Sequence, residues 1–195
     1  WAEAHAGWTT ARHHAVATTD IPLTELPELL PWFNQALANK LLPALSNRYP
    51  AAAPLASKLV VLDCFLVKYN AAAQAALKTH TDQSLLSFTI ALNSPAEYSG
   101  GGTYFPALGD AVDVAAAGHA ILFPSKLQHG GRAISSGVRY IIVLFMGYDA
   151  NRSGKQPGYS LAEATHQAAI GTHTPQGGGP TGGGPTGAST RKEEL

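Results

Sequence analysis

Apolar residues recur along this chain with two different periods. Between Pro22 and Ser46, Leu26, Leu30, Phe33, Leu37 and Leu41 are spaced by three or four, which puts them on one stripe of a helix. Pro22, Pro27 and Pro31 fall near its start, where a missing N–H is tolerated, and Pro43 predicts a kink or an end. Such a helix is expected to pack on the outside of a sheet. From Lys58 to Tyr69 the period changes. Val60, Val61, Leu62, Phe65, Leu66 and Val67 predict a strand buried on both faces, with Asp63, Phe65, Val67 and Tyr69 sharing one side. The alanine-rich stretch 70–76 reads as a turn. A further strand is predicted over 85–92, and short ones over 103–105, 112–114, 119–123 and 139–148, with Pro and Gly between them. Gly100-Gly101-Gly102 reads as a turn or bulge, since no helix follows it to cradle a phosphate. Many short strands after one helix predict a mainly β fold, a sandwich or jelly roll with an N-terminal supporting helix.

Composition narrows the reading. A chain of 195 residues with 45% hydrophobic content forms one sizeable core. The pattern fades after about Tyr159, and Gly-Gly-Gly-Pro-Thr occurs twice within 177–187. We therefore expect a folded domain over 1–160 and a low-complexity tail over 161–195, disordered from about Thr172. Thirteen basic and thirteen acidic residues cancel, and no basic stretch interleaves with aromatics, so no nucleic-acid partner is expected. No apolar run is long enough to span a bilayer. The single cysteine, Cys64, excludes an internal disulfide and a cysteine-built zinc site. The chain starts at Trp1, which leaves open whether a signal peptide preceded it. Its last residues, Lys192-Glu193-Glu194-Leu195, resemble the tetrapeptides that retain soluble proteins in the endoplasmic reticulum lumen, with Glu for the usual Asp. Nothing in the pattern fixes an oligomeric state.

The candidate chemistry lies at His80-Thr81-Asp82. On an extended strand, residues two apart point to the same side, so His80 and Asp82 converge while Thr81 turns away. His129 follows 47 residues after Asp82, and Arg139 ten residues after His129. Two imidazoles and one carboxylate leave three adjacent positions open on a metal, the arrangement of non-haem Fe(II) oxygenases, in which dioxygen binds beside a chelating cosubstrate. Arg139 shares a strand side with Ile141, Val143 and Phe145; if that side is buried, its guanidinium needs a partner, and a ligand carboxylate is the natural one. Charge balance favours 2-oxoglutarate: Fe(II) with Asp82 is net positive by one, a dianion reverses this, and Arg139 restores neutrality. His119 is the main decoy and reads as structural. The adjacent His13-His14 pair reads as surface or lid, because neighbours on a strand face opposite ways.

Residues from about Leu62 to Tyr148 resemble the catalytic domain of the prolyl and lysyl hydroxylases, with motifs nearest to the procollagen lysyl hydroxylase type. The resemblance rests on Val67-Lys68-Tyr69, Leu77 with His80-Thr81-Asp82-Gln83-Ser84, Ile90-Ala91-Leu92-Asn93, Tyr98-Ser99-Gly100-Gly101-Gly102, and His129 with Gly137-Val138-Arg139-Tyr140-Ile141. It implies a double-stranded β-helix in which His80, Asp82 and His129 ligate iron. It also implies that Arg139 holds the far carboxylate of 2-oxoglutarate, that Tyr69 lines the cosubstrate pocket, and that ascorbate serves as reductant. Thr89, at the cosubstrate pocket, stands where lysyl hydroxylases carry asparagine, a departure that leaves lysine specificity open. The implied activity is hydroxylation of a prolyl or lysyl side chain in a peptide or protein, with 2-oxoglutarate converted to succinate and carbon dioxide. The same chemistry on a free amino acid, or a silent jelly-roll binding module, are the competing readings.

Overall fold

The computed structural model describes residues 2–5, 7–13, 15–51, 54 and 58–149. The Gly-Pro-Thr repeat, the Lys192–Leu195 terminus and His14 lie outside the described residues. A short helix α1 (Ala2–His5) and strand β1 (Asp20–Pro22) precede the helical layer, α2 (Leu30–Ala36) and α3 (Leu42–Arg48). The strands that follow are β2 (Leu59–Asn70), β3 (Leu77–His80), β4 (Leu86–Ala91), β5 (Tyr98–Gly100), β6 (Thr103–Phe105), β7 (Asp110–Val112), β8 (Ala120–Pro124), β9 (His129–Gly131) and β10 (Ile134–Tyr148). Residues 70–73 form the turn expected of the alanine-rich stretch, with Ala73 N–H donating to Asn70 O. No helix among the described residues is long and apolar enough to cross a membrane.

The strands build two antiparallel sheets. The major sheet runs β1-β2-β10-β4-β8, with β5 also paired to β10; the minor sheet runs β3-β9-β6-β7. The jelly-roll expectation is borne out: this is a double-stranded β-helix with a cavity between the sheets. Strand alternation gives the major sheet two roles. Cys64, Leu66, Phe88, Ile90, Ile142, Leu144 and Met146 pack against Phe33, Leu37, Leu42 and Leu45 of the helical layer. Phe65, Val67, Tyr69 and Ile141 form a second cluster on the opposite face, where they line the inter-sheet cavity with Thr89 and Arg139.

Two irregularities set where side chains point. The expected single helix is interrupted by a π-helical turn at Leu37–Leu41, in which Leu42 N–H donates to Leu37 O. Pro43 has no N–H to offer the regular ladder, and its ring would crowd the carbonyl of Asn39. The wider turn relieves this and rotates the stripe by one residue, so Leu42 is buried and Leu41 only partly so. In the sheet, Phe145 pairs with Asp63 but Met146 pairs with Val61, a β-bulge at Leu62. By simple alternation Leu62 would face the helices; the bulge turns it to the cavity wall instead.

Candidate metal centre

His80 and His129 are register partners across the antiparallel pair β3–β9, and their ring centroids lie 4.5 Å apart. Asp82 follows β3 and is tied to the loop after β8, donating its N–H to Ser125 O at 2.9 Å, while Lys126 Nζ donates to Asp82 O at 3.0 Å. Its Oδ1 lies 3.4 Å from His80 Nε2 and its Oδ2 3.3 Å from His129 Nε2. The three ligand atoms lie within 4.8 Å of one another.

Both histidines are oriented by the main chain. His80 Nδ1 lies 2.7 Å from Lys78 O and His129 Nδ1 2.8 Å from Leu127 O. A carbonyl only accepts, so each Nδ1 carries a proton, and Nε2 is the nitrogen that faces Asp82 and that a metal would take. This orientation is the one metal-bound histidines adopt. Phe123 packs on His129 with centroids 4.4 Å apart, and Phe105 packs edge-on to Phe123.

Electrostatics here reflect the closeness of the three groups. Burial would raise the Asp82 pKa, yet hydrogen bonds from His129, His80 and Ser87 outweigh it and hold the carboxyl well below its usual range. For His80, burial favours the neutral ring, but the Asp82 interaction and the bond to Lys78 O raise its pKa above the ordinary value.

The cavity extends from this cluster to Arg139 and has a volume of about 390 Å³. Arg139 is 3% exposed, pairs with Tyr69 across β2–β10, and holds its guanidinium carbon 5.3 Å from the Tyr69 ring centroid. Its buried Nε has no hydrogen-bond partner among the described residues. Gly101 and Gly131 create the space for this pair. A Cβ at Gly101 would lie 3.2 Å from Arg139 Cδ, at a φ of +88° that other residues rarely adopt; a Cβ at Gly131 would lie 2.7 Å from Tyr69 Oη. Burial raises the Tyr69 pKa against the opposing pull of Arg139. Thr89, on β4 of the same sheet, holds its hydroxyl 3.3 Å from that of Thr103 on β6 of the facing sheet.

All six sequence-predicted site residues, His80, Asp82, His129, Arg139, Tyr69 and Thr89, therefore line one cavity. His119 is exposed and is not among its lining residues. His13 does line it, stacked on Phe65 with centroids 4.7 Å apart, with Ala15, Val16 and Thr18 beside it. Arg12 clamps this segment by ion pairs to Asp20 and Asp63. Sequence reasoning missed Ser87 and Ser125, because serines spread over a strand and a loop carry no spacing signal. The donor set of two imidazole nitrogens and a carboxylate fits Fe(II), and the buried Arg139 guanidinium, whose Nε has no partner among the described residues, fits a carboxylate-bearing cosubstrate.

Over 85 residues, the chain is 38% identical to the multifunctional procollagen lysine hydroxylase and glycosyltransferase of Caenorhabditis elegans, covering 42% of this chain and 12% of the relative. Over that stretch the chain is similar to a lysyl hydroxylase. The procollagen-lysine,2-oxoglutarate 5-dioxygenase of Drosophila melanogaster is 29% identical over 158 residues, covering 74% of this chain and 21% of that protein. The chain thus spans between about one-eighth and one-fifth of the length of these relatives. Among solved structures, the non-heme alpha ketoglutarate dependent epimerase SnoN from nogalamycin biosynthesis overlays with a TM-score of 0.49 at 11% identity, covering 82% of this chain and 81% of that one. No protein-family profile matches the chain.

Proposed function

We propose that residues 1–160 form an Fe(II)- and 2-oxoglutarate-dependent dioxygenase that hydroxylates a prolyl or lysyl side chain in a peptide or protein. The observation that carries this reading is the pairing, within one cavity, of a two-histidine, one-carboxylate cluster with a buried arginine whose Nε lacks a partner. Either feature alone has ordinary structural explanations. Together they supply what this chemistry needs, a metal with open positions and an anchor for a dicarboxylate. The names of the relatives agree with a 2-oxoglutarate-dependent oxygenase.

In this reading His80 Nε2, His129 Nε2 and Asp82 hold the iron. When bound, the iron supplies the oxidation: 2-oxoglutarate and dioxygen give succinate and carbon dioxide, and one oxygen atom enters a substrate C–H bond as hydroxyl. Arg139 binds the far carboxylate of 2-oxoglutarate, and stacking on Tyr69 keeps the guanidinium fork in plane. Thr89 and Thr103 offer hydroxyls along the cosubstrate wall. Phe65, Val143 and Phe145 make the cavity apolar and keep water from the reacting centre. Ascorbate is the reductant we expect to sustain turnover.

The test is incubation of the full chain with Fe(II), 2-oxoglutarate, ascorbate and a library of proline- and lysine-containing peptides, with succinate and peptide mass followed together. Succinate formation coupled to a gain of one oxygen on a peptide supports the proposal. Oxygen gained only by a free metabolite removes the peptide substrate, and no 2-oxoglutarate turnover with any substrate removes the oxygenase.

A further inference from the structure

Three serine hydroxyls meet behind Asp82. Ser87 Oγ lies 2.5 Å from Asp82 Oδ2 and 2.9 Å from Ser125 Oγ, and Ser125 Oγ lies 2.6 Å from Ser84 Oγ. Ser87 and Ser125 are almost wholly buried, at 1% and 0% exposure, whereas Ser84 is partly exposed. They come from separate places: Ser87 from β4, where it pairs with Phe123 and Phe145, Ser84 from the loop before it, and Ser125 from the loop after β8.

The direction of these bonds follows from counting protons. A carboxylate has none to give, so Ser87 donates to Asp82 Oδ2. Ser87 has then spent its only proton, so Ser125 must donate to Ser87. By the same count Ser84 must donate to Ser125, leaving the longer 3.4 Å approach of Ser84 to Leu86 O as a minor contact. The array is one polarised chain, Ser84 to Ser125 to Ser87 to Asp82, in which each bond strengthens the next.

We propose that this serine chain positions Asp82 so that it binds iron through Oδ1 alone. The inference rests on the metal reading above. Each carboxylate oxygen faces one histidine, Oδ1 at 3.4 Å from His80 Nε2 and Oδ2 at 3.3 Å from His129 Nε2, but only Oδ2 also accepts a serine proton, from Ser87. The distinction matters for function. Two histidines and a single carboxylate oxygen leave three positions open, enough for a cosubstrate chelating through two oxygens and for dioxygen. A carboxylate bound through both oxygens leaves two, and dioxygen has no place. Ser87 and Ser125 are thus positioning residues that keep one coordination position free.

The test uses the full chain loaded with Co(II) under anaerobic conditions, read by titration and by visible absorption, which reports coordination number. Ser87→Ala is expected to weaken Co(II) binding about 10- to 100-fold, as loss of an outer partner to a ligand does, and to change the absorption of the 2-oxoglutarate complex. Ser125→Ala is expected to have a smaller effect of the same kind. The variant carrying both changes should match Ser87→Ala alone, because Ser125 acts only through Ser87. If Ser87→Ala fails to fold, Ser87→Thr against Ser87→Val makes the same comparison with and without the hydroxyl on a β-branched side chain, and only Ser87→Thr should keep the native spectrum. Native Co(II) affinity and spectrum in the variants lacking the hydroxyl would overturn the proposal. So would a Ser125→Ala penalty that persists in full beside Ser87→Ala. Failure of the unmodified protein to bind Co(II) would instead overturn the metal reading itself.

Discussion

Arg139 lies across the ring of Tyr69, its directly paired residue on the neighbouring strand, with 5.3 Å between the guanidinium carbon and the ring centroid. The ring braces one face of a buried cation whose Nε has no partner. A buried charge left in this state is costly, and an incoming carboxylate relieves it. Arg139→Ala should therefore weaken 2-oxoglutarate binding by about 2–5 kcal/mol, the usual effect of truncating one side of a buried charge pair. Arg139→Lys keeps the charge but loses the fork, and should recover only part of the loss. Calorimetric titration of 2-oxoglutarate into the metal-loaded protein checks both.

Removing a donor from the cluster should separate metal binding from folding. His80→Ala, His129→Ala and Asp82→Ala are each expected to abolish succinate formation and the rise in Tm that Fe(II) or Co(II) gives the unmodified protein. Thermal scans with and without metal measure this. Full turnover after loss of Asp82 would count decisively against the oxygenase.

Protonation of the cluster should give opposite pH trends with and without metal. The His80 pKa is raised in the folded chain, so its contribution is complete below about pH 6.5 and is lost as pH rises through the folded value. The Asp82 pKa is lowered, so its contribution is complete above about pH 4 and is lost as pH falls through the folded value. The metal-free protein should thus lose stability as pH rises above about 6.5, and His80→Ala should flatten that slope. Metal competes with protons for Nε2, so the stabilisation that metal adds should grow with pH over the same range. Melting curves of chelator-treated and metal-loaded protein at each pH test the pair of trends.

Gly131→Ala should disturb the cosubstrate end without touching the metal ligands. The added methyl would press on the buried Tyr69 ring at 2.7–3.0 Å, an overpacking that costs about 1–3 kcal/mol. Urea unfolding should report that loss, with metal affinity retained and 2-oxoglutarate affinity reduced.

The π-turn can be tested through side chains one position apart. Leu42→Ala should cost about 2–5 kcal/mol, the range for a buried leucine. Leu41→Ala, at the position that simple periodicity assigns to the buried stripe, should cost distinctly less. Equal costs from urea unfolding would argue against the phase shift.

The elements that chain periodicity revealed are those whose side chains answer to one local rule. Alternation over Asp63–Tyr69 and Arg139–Phe145 gave the cavity face, and the three-to-four spacing from Leu30 to Leu37 gave the buried helical stripe, whereas Leu26 is buried ahead of the helix, which starts only at Leu30. The rule broke at Leu41 and Leu62. There a proline two residues on, or an extra residue in a strand, shifts the phase by one, and only the partner strand or helix shows which residue absorbs the shift. The triad was legible because His80 and Asp82 are close in sequence and His129 precedes an arginine-headed strand. His129 pairs with His80 as a strand residue, which its glycine-flanked context did not reveal. The serine chain was invisible for the same reason in stronger form: its members meet only through the pairing of β4 with β8 and through two loops.

The two histidine rings owe their orientation to carbonyls of Lys78 and Leu127, each two residues before its own ring. Any side chain at positions 78 or 127 supplies the same carbonyl. The reactive centre is therefore insulated from mutational drift in its immediate neighbours, while the cavity walls that meet a substrate stay free to vary. A scaffold wired in this way can exchange one target molecule for another and keep the same oxidising core.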